Sequence, residues 1–281
     1  MHLIMITLVL LLSVIWRWPA LEARSPWSER YSQALNRFLF PPLLLFTTAL
    51  AVVCMGPQGQ MAGLWVGGVS YVISLGFLLG AGGLLLWQYL RSLHSLHRLH
   101  HLPLQEIDHH PLHVLEAPTL LAAQIGLWHP RLVISQGVLD RLGPDHLQAV
   151  LTHEQAHHHF RDTFTFFWLG WLRRLTCWLP HTHTLWQELL LLREIRADQW
   201  AAQQVDPLLL AEALWMFAAD PVSESWSDHC VGLNESGPAS RLEQRIDHLL
   251  DPSITPAFAL SWNWIALSSS LLPILVIPLH S

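Results

Sequence analysis

Charge is what this 281-residue chain has least of: Asp, Glu, Lys and Arg together make up 13% of it, about half the usual share of a soluble domain. Set beside 52% hydrophobic residues and a mean hydropathy of +0.32, this excludes a disordered chain, which needs the opposite balance. It also argues against an ordinary cytosolic enzyme. A net charge of −6 excludes direct nucleic-acid binding through bulk positive charge, because phosphate contacts need a surplus of basic groups. Cysteine is scarce too. Cys54, Cys177 and Cys230 are odd in number and form no C-x-x-C pair, which excludes a disulfide framework and a thiolate zinc site. What the chain does have is 15 Trp and 19 His. Trp suits membrane–water boundaries, and His suits metals and proton chemistry.

Four apolar stretches have the character of transmembrane helices. Residues 1–16 carry no charge and would reach about 24 Å as a helix, slightly short of a bilayer core of roughly 30 Å. A signal peptide is the rival reading, but no basic residue precedes the run and no small-x-small cleavage site follows it. Residues 38–55 form the second run, with Pro41 and Pro42 near its start. Residues 61–90 form the third, containing Gly76-x-x-x-Gly80 and then Gly82 and Gly83, small residues that permit close helix contact. Residues 254–281 form the fourth, with Trp262 and Trp264 placed for a boundary layer. Arg17, Arg24, Arg30 and Arg37 lie between the first two runs, and Arg91 and Arg98 follow the third. The positive-inside rule puts both segments in the cytoplasm and the two termini outside. Residues 91–253 then form one cytoplasmic domain.

That domain opens with His94, His97, His100 and His101 interleaved with leucines at 93, 96 and 99. The pattern reads as a helix continuing out of the membrane; a metal-loading or pH-sensing cluster, extended by His109, His110 and His113, is the alternative. Short β-like runs follow at 112–115 and 130–135. From Pro144 the pattern turns helical, with Asp145 in the first turn and Leu147, Val150 and Leu151 on one apolar face.

On this helix lies Thr152-His153-Glu154-Gln155-Ala156-His157. His153 and His157 stand one turn apart, so both imidazoles point the same way and can grip one zinc ion. Glu154 is offset by one residue, beside the position of a metal-bound water rather than on the metal, where it can act as general base. His158 and His159 leave a register shifted by one open. Residues 185–204 read as a second long helix, with Glu194 and Asp198 four apart on one face. Glu194 can supply the third protein ligand, and Asp198 can hydrogen-bond a ligating imidazole. Alternatively, Glu188, Glu194 and Asp198 pair with Arg193 and Arg196 along a solvated face; together with the His motif, the ligand reading is preferred. Between the two helices, residues 163–192 suggest a hairpin dipping into the bilayer surface, because the uncharged core is too short to span. A buried core helix is the other possibility.

With these residues in place, the chain resembles the BlaR/MecR-type integral membrane zinc metallopeptidases, relatives of the CAAX-prenyl and heat-shock membrane endopeptidases. The likeness runs through the spans, Gly126-Leu-Trp-His-Pro-Arg-Leu-Val-Ile-Ser135, Leu147 to His157 with Asp162 shortly after, Glu194-x-x-x-Asp198, and Arg241-Leu-Glu-Gln-Arg245-Ile-Asp-His-Leu-Leu250. The resemblance implies a mainly α fold: four transmembrane helices and, between the third and fourth, a cytoplasmic α+β gluzincin-type domain in a bacterial inner membrane. It implies His153, His157 and Glu194 as ligands of one Zn2+, Glu154 as general base and Asp198 behind a ligand. It further implies a supporting or oxyanion-stabilising Arg245. Arg131, Leu132, Val133, Ile134 and Ser135 would form an edge strand against which a substrate peptide lies. No extracellular sensor follows the fourth span, so antibiotic sensing is not expected. The function expected is a zinc endopeptidase cutting a protein substrate, such as a transcriptional repressor or a membrane protein, at the cytoplasmic face of the lipid bilayer. A metal-ion transporter or His-rich metal sensor is the alternative; it calls for ionisable groups inside the spans, which hold essentially none. A catalytically dead scaffold would not need Glu154.

Overall fold

The computed structural model of the protein describes residues 2–18, 26–57, 60–61, 64–65, 68–99, 101–107, 110–220, 239–251 and 264–279. They fall into two units, one made of residues 1–87, 171–189 and 259–281, the other of residues 88–170 and 190–258.

The first unit holds α1 (His2–Arg17), α2 (Trp27–Met55), a hairpin of β1 (Gln60–Met61) and β2 (Leu64–Trp65), and most of α3 (Gly68–Leu99). α2 begins well before the apolar run at 38–55, because Trp27, Tyr31, Ala34, Leu35 and Phe38 recur at helical spacing and are all buried. Its polar first turns are therefore the start of an amphipathic helix rather than a loop. Arg30 on this stretch donates to Glu188 at 2.9 Å through Nε, so Glu188 has a partner other than Arg193 or Arg196. Arg17, at the end of α1, donates to the Phe38 carbonyl at 3.1 Å and to the Thr182 hydroxyl. Val9, Phe40, Leu44, Leu45 and Leu179 form one core of this unit, and Ala51, Val52 and Met55 another.

The third apolar run is displaced as well. Part of its start forms the β1–β2 hairpin, and α3 continues to Leu99, taking in His94 and His97. Leu99 is fully buried and packs with Leu96 against Leu115, Ala123, Ile125 and Val133, while His94 and His97 are exposed. His100 and His109 lie outside the described residues. α2 and α3 are the helices long and apolar enough to cross a membrane among those described. The fourth expected span is not shown as one helix among the described residues. The described part of that run is three short pieces, Trp264–Ser269, Leu272–Leu275 and Ile277–Leu279. Pro273, which lacks an amide donor and crowds the preceding turn, sits where a continuous helix would have to pass. Residues 254–263 and 280–281 of the run are outside the described residues.

The second unit is built on a four-stranded sheet of β3 (Leu104–Ile107), β4 (His110–Leu115), β5 (Ala122–Ile125) and β6 (Arg131–Ser135), in the order β3-β4-β6-β5. β6 runs parallel to β4 and antiparallel to β5. This corrects the edge assignment of Arg131–Ser135. Both flanks of β6 are occupied, Leu132, Val133, Ile134 and Ser135 are buried, and Arg131 alone is exposed. Ser135 is committed to the fold: its hydroxyl donates to the Thr119 carbonyl at 2.6 Å and accepts from the Leu121 amide at 3.0 Å. The edge on that side is β5, whose short Ala-Ala-Gln-Ile run carries only one β-branched residue and so little strand signal.

After β6 come α4 (Gln136–Arg141), α5 (Pro144–His159), α6 (Asp162–Leu175), α7 (Thr182–Ala201), α8 (Pro207–Ala219) and α9 (Ala239–Leu250). α5 starts with Pro144 in its first turn behind Gly143, a favourable place for proline. Val150 and Leu151 pack against Leu112, Leu132, Ile134 and Val138. On another face, Ala149 meets Ala201, Leu210 and Leu249. The sheet and α8 thus clamp α5 in a fixed rotation. α6 and the start of α7 occupy the segment between the two motifs, and Phe166, Phe167, Leu169, Leu172 and Leu175 of α6 are buried within the protein.

The β6–α4 corner demands glycine at 137: an added Cβ would lie 2.2 Å from the Pro118 carbonyl oxygen and 2.9 Å from that of Thr119. Both obstacles are backbone and cannot swing away. Replacing Gly137 with Ala is expected to destabilise the protein by about 1–3 kcal/mol, the range of core overpacking. Thermal or denaturant unfolding of the variant beside the parent measures it.

Candidate metal centre

The site is built from α5 and α7, with supports from the start of α6 and from α9. His153 and His157, one turn apart on the buried side of α5, bring their Nε2 atoms to 3.1 Å from each other. Glu194 of α7 presents Oε2 at 3.4 Å from His153 Nε2 and Oε1 at 3.7 Å from His157 Nε2. His158 is exposed, and His159 stacks on Trp200 with ring centroids 5.5 Å apart. The shifted register is thereby disfavoured, since α5 turns those two rings away from the cluster.

Each imidazole is held from behind. His153 Nδ1 lies 2.9 Å from Asp198 Oδ1 and His157 Nδ1 lies 2.8 Å from Asp162 Oδ2. An ionised carboxylate only accepts hydrogen bonds, so it keeps a hydrogen on Nδ1, and the Nε2 lone pair faces the cluster once the ring is neutral. The aspartates are secured in turn. Arg245 of α9 donates to Asp198 through Nε at 2.7 Å and Nη2 at 2.8 Å, and Arg196 donates to Asp162 and lies over the Phe160 ring. Asp162 reaches back to His157 because Arg161 adopts a left-handed conformation, φ 53°, and reverses the chain between α5 and α6.

The charges balance in pairs. Glu194, Asp162 and Asp198 are matched by Arg193, Arg196 and Arg245. Burial alone would raise the Glu194 pKa, but Arg193, His157 and Arg245 hold it well below the ordinary carboxylate range. Burial likewise opposes ionisation of Asp198, and Arg245 overcomes it; for Asp162 the His157 contact and Arg196 do so. Burial would lower the His157 pKa, yet Glu194 and Asp162 outweigh it and push it to about 10. His153 is raised in the same way by Asp198 and Glu194.

The residues fit a zinc ion. Their donor atoms lie within 4.8 Å of one another, and tetrahedral ligands about 2.0–2.1 Å from zinc stand about 3.3 Å apart. Two imidazoles with one carboxylate is a donor set for a transition metal such as zinc rather than the all-oxygen set favoured by calcium or magnesium. Glu154 is buried next to His153, and among the described residues its carboxylate makes no hydrogen bond. Its backbone carbonyl accepts from Gln124 Nε2 at 3.2 Å, which ties α5 to β5. Arg245 Nη1 is 3.4 Å from Glu194; with its other nitrogens on Asp198, the guanidinium serves the support of the site. Arg131 to Ser135 are engaged in the sheet as described above.

Asp162, Arg193 and Arg196 were named in the sequence without their place in the site, and Arg193 does pair with Glu194 as the alternative reading had it. Asp162 carried a signal, an acidic residue five positions after His157 and just past the helix end. The two arginines looked like a solvated face, but are 3% and 7% exposed.

Metal capture has to displace the extra protons on the imidazoles, so pH acts in opposite directions on the empty and loaded site. In the metal-free protein, the stabilisation from protonated His157 is fully present below pH 6.5 and is lost as pH rises through about 10. Apparent zinc affinity is expected to rise across the same window, by up to about tenfold per pH unit for each proton displaced. Chelator competition at pH 6, 7.5 and 9 reads this directly, and an affinity independent of pH would contradict it.

Comparison of the chain with protein-family models, with curated proteins and with solved structures finds no match, so the geometry of these side chains carries the functional argument.

Proposed function

We propose that this protein is a membrane-embedded zinc-dependent endopeptidase that hydrolyses a protein substrate near the cytoplasmic membrane face. The observation that carries the reading is the convergence of His153, His157 and Glu194 within 4.8 Å, with Glu154 adjacent on the same helix. Zinc held there would polarise the scissile carbonyl and lower the pKa of a water to about 7. Glu154 then takes a proton on its carboxylate from the attacking water and gives it to the leaving amine. Asp198 and Asp162 keep both imidazoles in the donor tautomer throughout. Arg245 steadies Asp198 and Glu194 rather than the substrate.

The edge for an extended peptide is β5. The Ser135 amide donates to the Leu121 carbonyl at 2.8 Å, and the antiparallel register pairs Ala123 with Val133. By ladder alternation, Ala122 and Gln124 turn their backbone groups away from β6. A substrate strand can add there, main chain to main chain, beside the helix that carries Glu154.

A bilayer accounts for α2 and α3. Residues 38–55 and 68–90 contain no Asp, Glu, Lys or Arg, and α3 leaves Val72 67% and Leu79 68% exposed, a surface water would penalise. The lack of ionisable groups in these runs also counts against a transport pathway.

Two variants test the activity. Glu154→Gln keeps the metal donors and removes the base, while His157→Ala removes a donor. New protein N-termini that appear in membranes containing the parent protein are expected to vanish with both, a loss of at least 100-fold in cleavage rate for Glu154→Gln. Unchanged N-terminal maps with both variants would overturn the enzyme reading; altered cellular zinc with unchanged maps would point to transport. At β5, Ala122→Pro removes one outward amide and is expected to slow cleavage about tenfold with zinc affinity unchanged, as measured in the same membranes and by chelator competition.

A further inference from the structure

We propose that Arg193 is a positioning residue that makes Glu194 a one-oxygen metal ligand and so keeps the fourth coordination position open. The inference rests on the reading of His153, His157 and Glu194 as a zinc site and goes beyond it. Arg193 donates twice to the same oxygen, Oε1 of Glu194, through Nε at 2.9 Å and Nη2 at 2.6 Å. Both donors of the fork converge on Oε1 from one side, so this oxygen carries the whole charge-assisted contact with the guanidinium. The other oxygen, Oε2, is less committed: its neighbours are His153 Nε2 and Arg245 Nη1, each at 3.4 Å. Oε2 is therefore the atom with a lone pair to offer, and Oε1 is the one held back, at 3.7 Å from His157 Nε2.

The contact is not a default of helix geometry. Adjacent residues on a helix do not face each other, so Arg193 must fold its side chain across α7 to reach Glu194. Phe166 of α6 holds it there, with the guanidinium carbon 4.8 Å from the ring centroid, and the side chain is 3% exposed. A carboxylate can bind a metal through one oxygen or two. Two would add a fifth donor and crowd the position that a hydrolytic site leaves for water and substrate. A guanidinium fork on Oε1 competes with the metal for that oxygen, and lysine, a single point charge, cannot reproduce the fork.

Cobalt(II) in place of zinc reports coordination number through its visible absorption without any turnover. In full-length protein in detergent, Arg193→Gln and Arg193→Lys are expected to weaken the intense bands of four-coordinate cobalt toward those of a five-coordinate site. Cobalt affinity should fall about 10–100-fold, the usual effect of removing a partner of a ligand. In a Glu194→Gln background, Arg193→Gln should add nothing further, because the carboxylate through which it acts is gone. Folding is checked by near-ultraviolet circular dichroism. Folded Arg193→Gln with the parent's cobalt spectrum and affinity would overturn the proposal. If Arg193→Gln does not fold, Arg193→Lys, which keeps the buried charge, decides by the same spectrum; loss of the fold in both makes Arg193 a structural counter-ion and overturns the proposal equally. A parent protein that binds no cobalt or zinc would fail the metal reading itself, a result distinct from a parent that binds cobalt and variants that bind it identically.

Discussion

Two imidazoles one turn apart on a helix share a direction but not a tautomer, and everything at this centre depends on fixing the tautomer. The structure does it with a carboxylate behind each ring and a guanidinium behind each carboxylate: Arg245–Asp198–His153 and Arg196–Asp162–His157. When the extra proton of each ring is displaced, these chains keep the remaining hydrogen on Nδ1 and leave Nε2 as the donor atom. With them, four helices must hold their rotation and depth together, which is why α5 is gripped on two faces and α7 is buried along most of its length.

The arginines are more than counter-ions. All fifteen basic side chains of this protein are arginine, and a guanidinium stays charged in surroundings that would strip a proton from lysine. A buried cluster of three carboxylates is tolerable only if its partners cannot be neutralised. Planar forks also give direction: Arg245 grips Asp198 with two parallel bonds, and Arg193 places both of its bonds on one oxygen of Glu194.

Much of this was legible in the sequence, for reasons of period. His153, Glu154 and His157 announce a helix face, and Glu194 and Asp198 repeat that spacing on a second helix. The strands at 112–115 and 131–135 were visible through their β-branched residues. What the chain concealed was burial and neighbourhood. Ala122 to Ile125 has little strand character, so β6 looked like an edge when it is an interior strand. Trp27 to Arg37 looked like a polar loop because its apolar residues recur every three or four positions instead of in a run. Arg193 and Arg196 could not be told from solvated charges, since only the packing of α6 onto α7 decides that. The fourth apolar run had the composition of a span, while its described part is three short pieces with Pro273 in the second.

The left-handed turn at Arg161 makes the two imidazoles unequal in their origins. His157 and the aspartate that orients it are five residues apart, so one short piece of chain carries both, with Arg196 of α7 securing the aspartate. His153 depends on Asp198, and Asp198 on Arg245 near the far end of the domain. The His157 half of the centre is thus held by neighbours in sequence, and the His153 half by residues far apart along the chain.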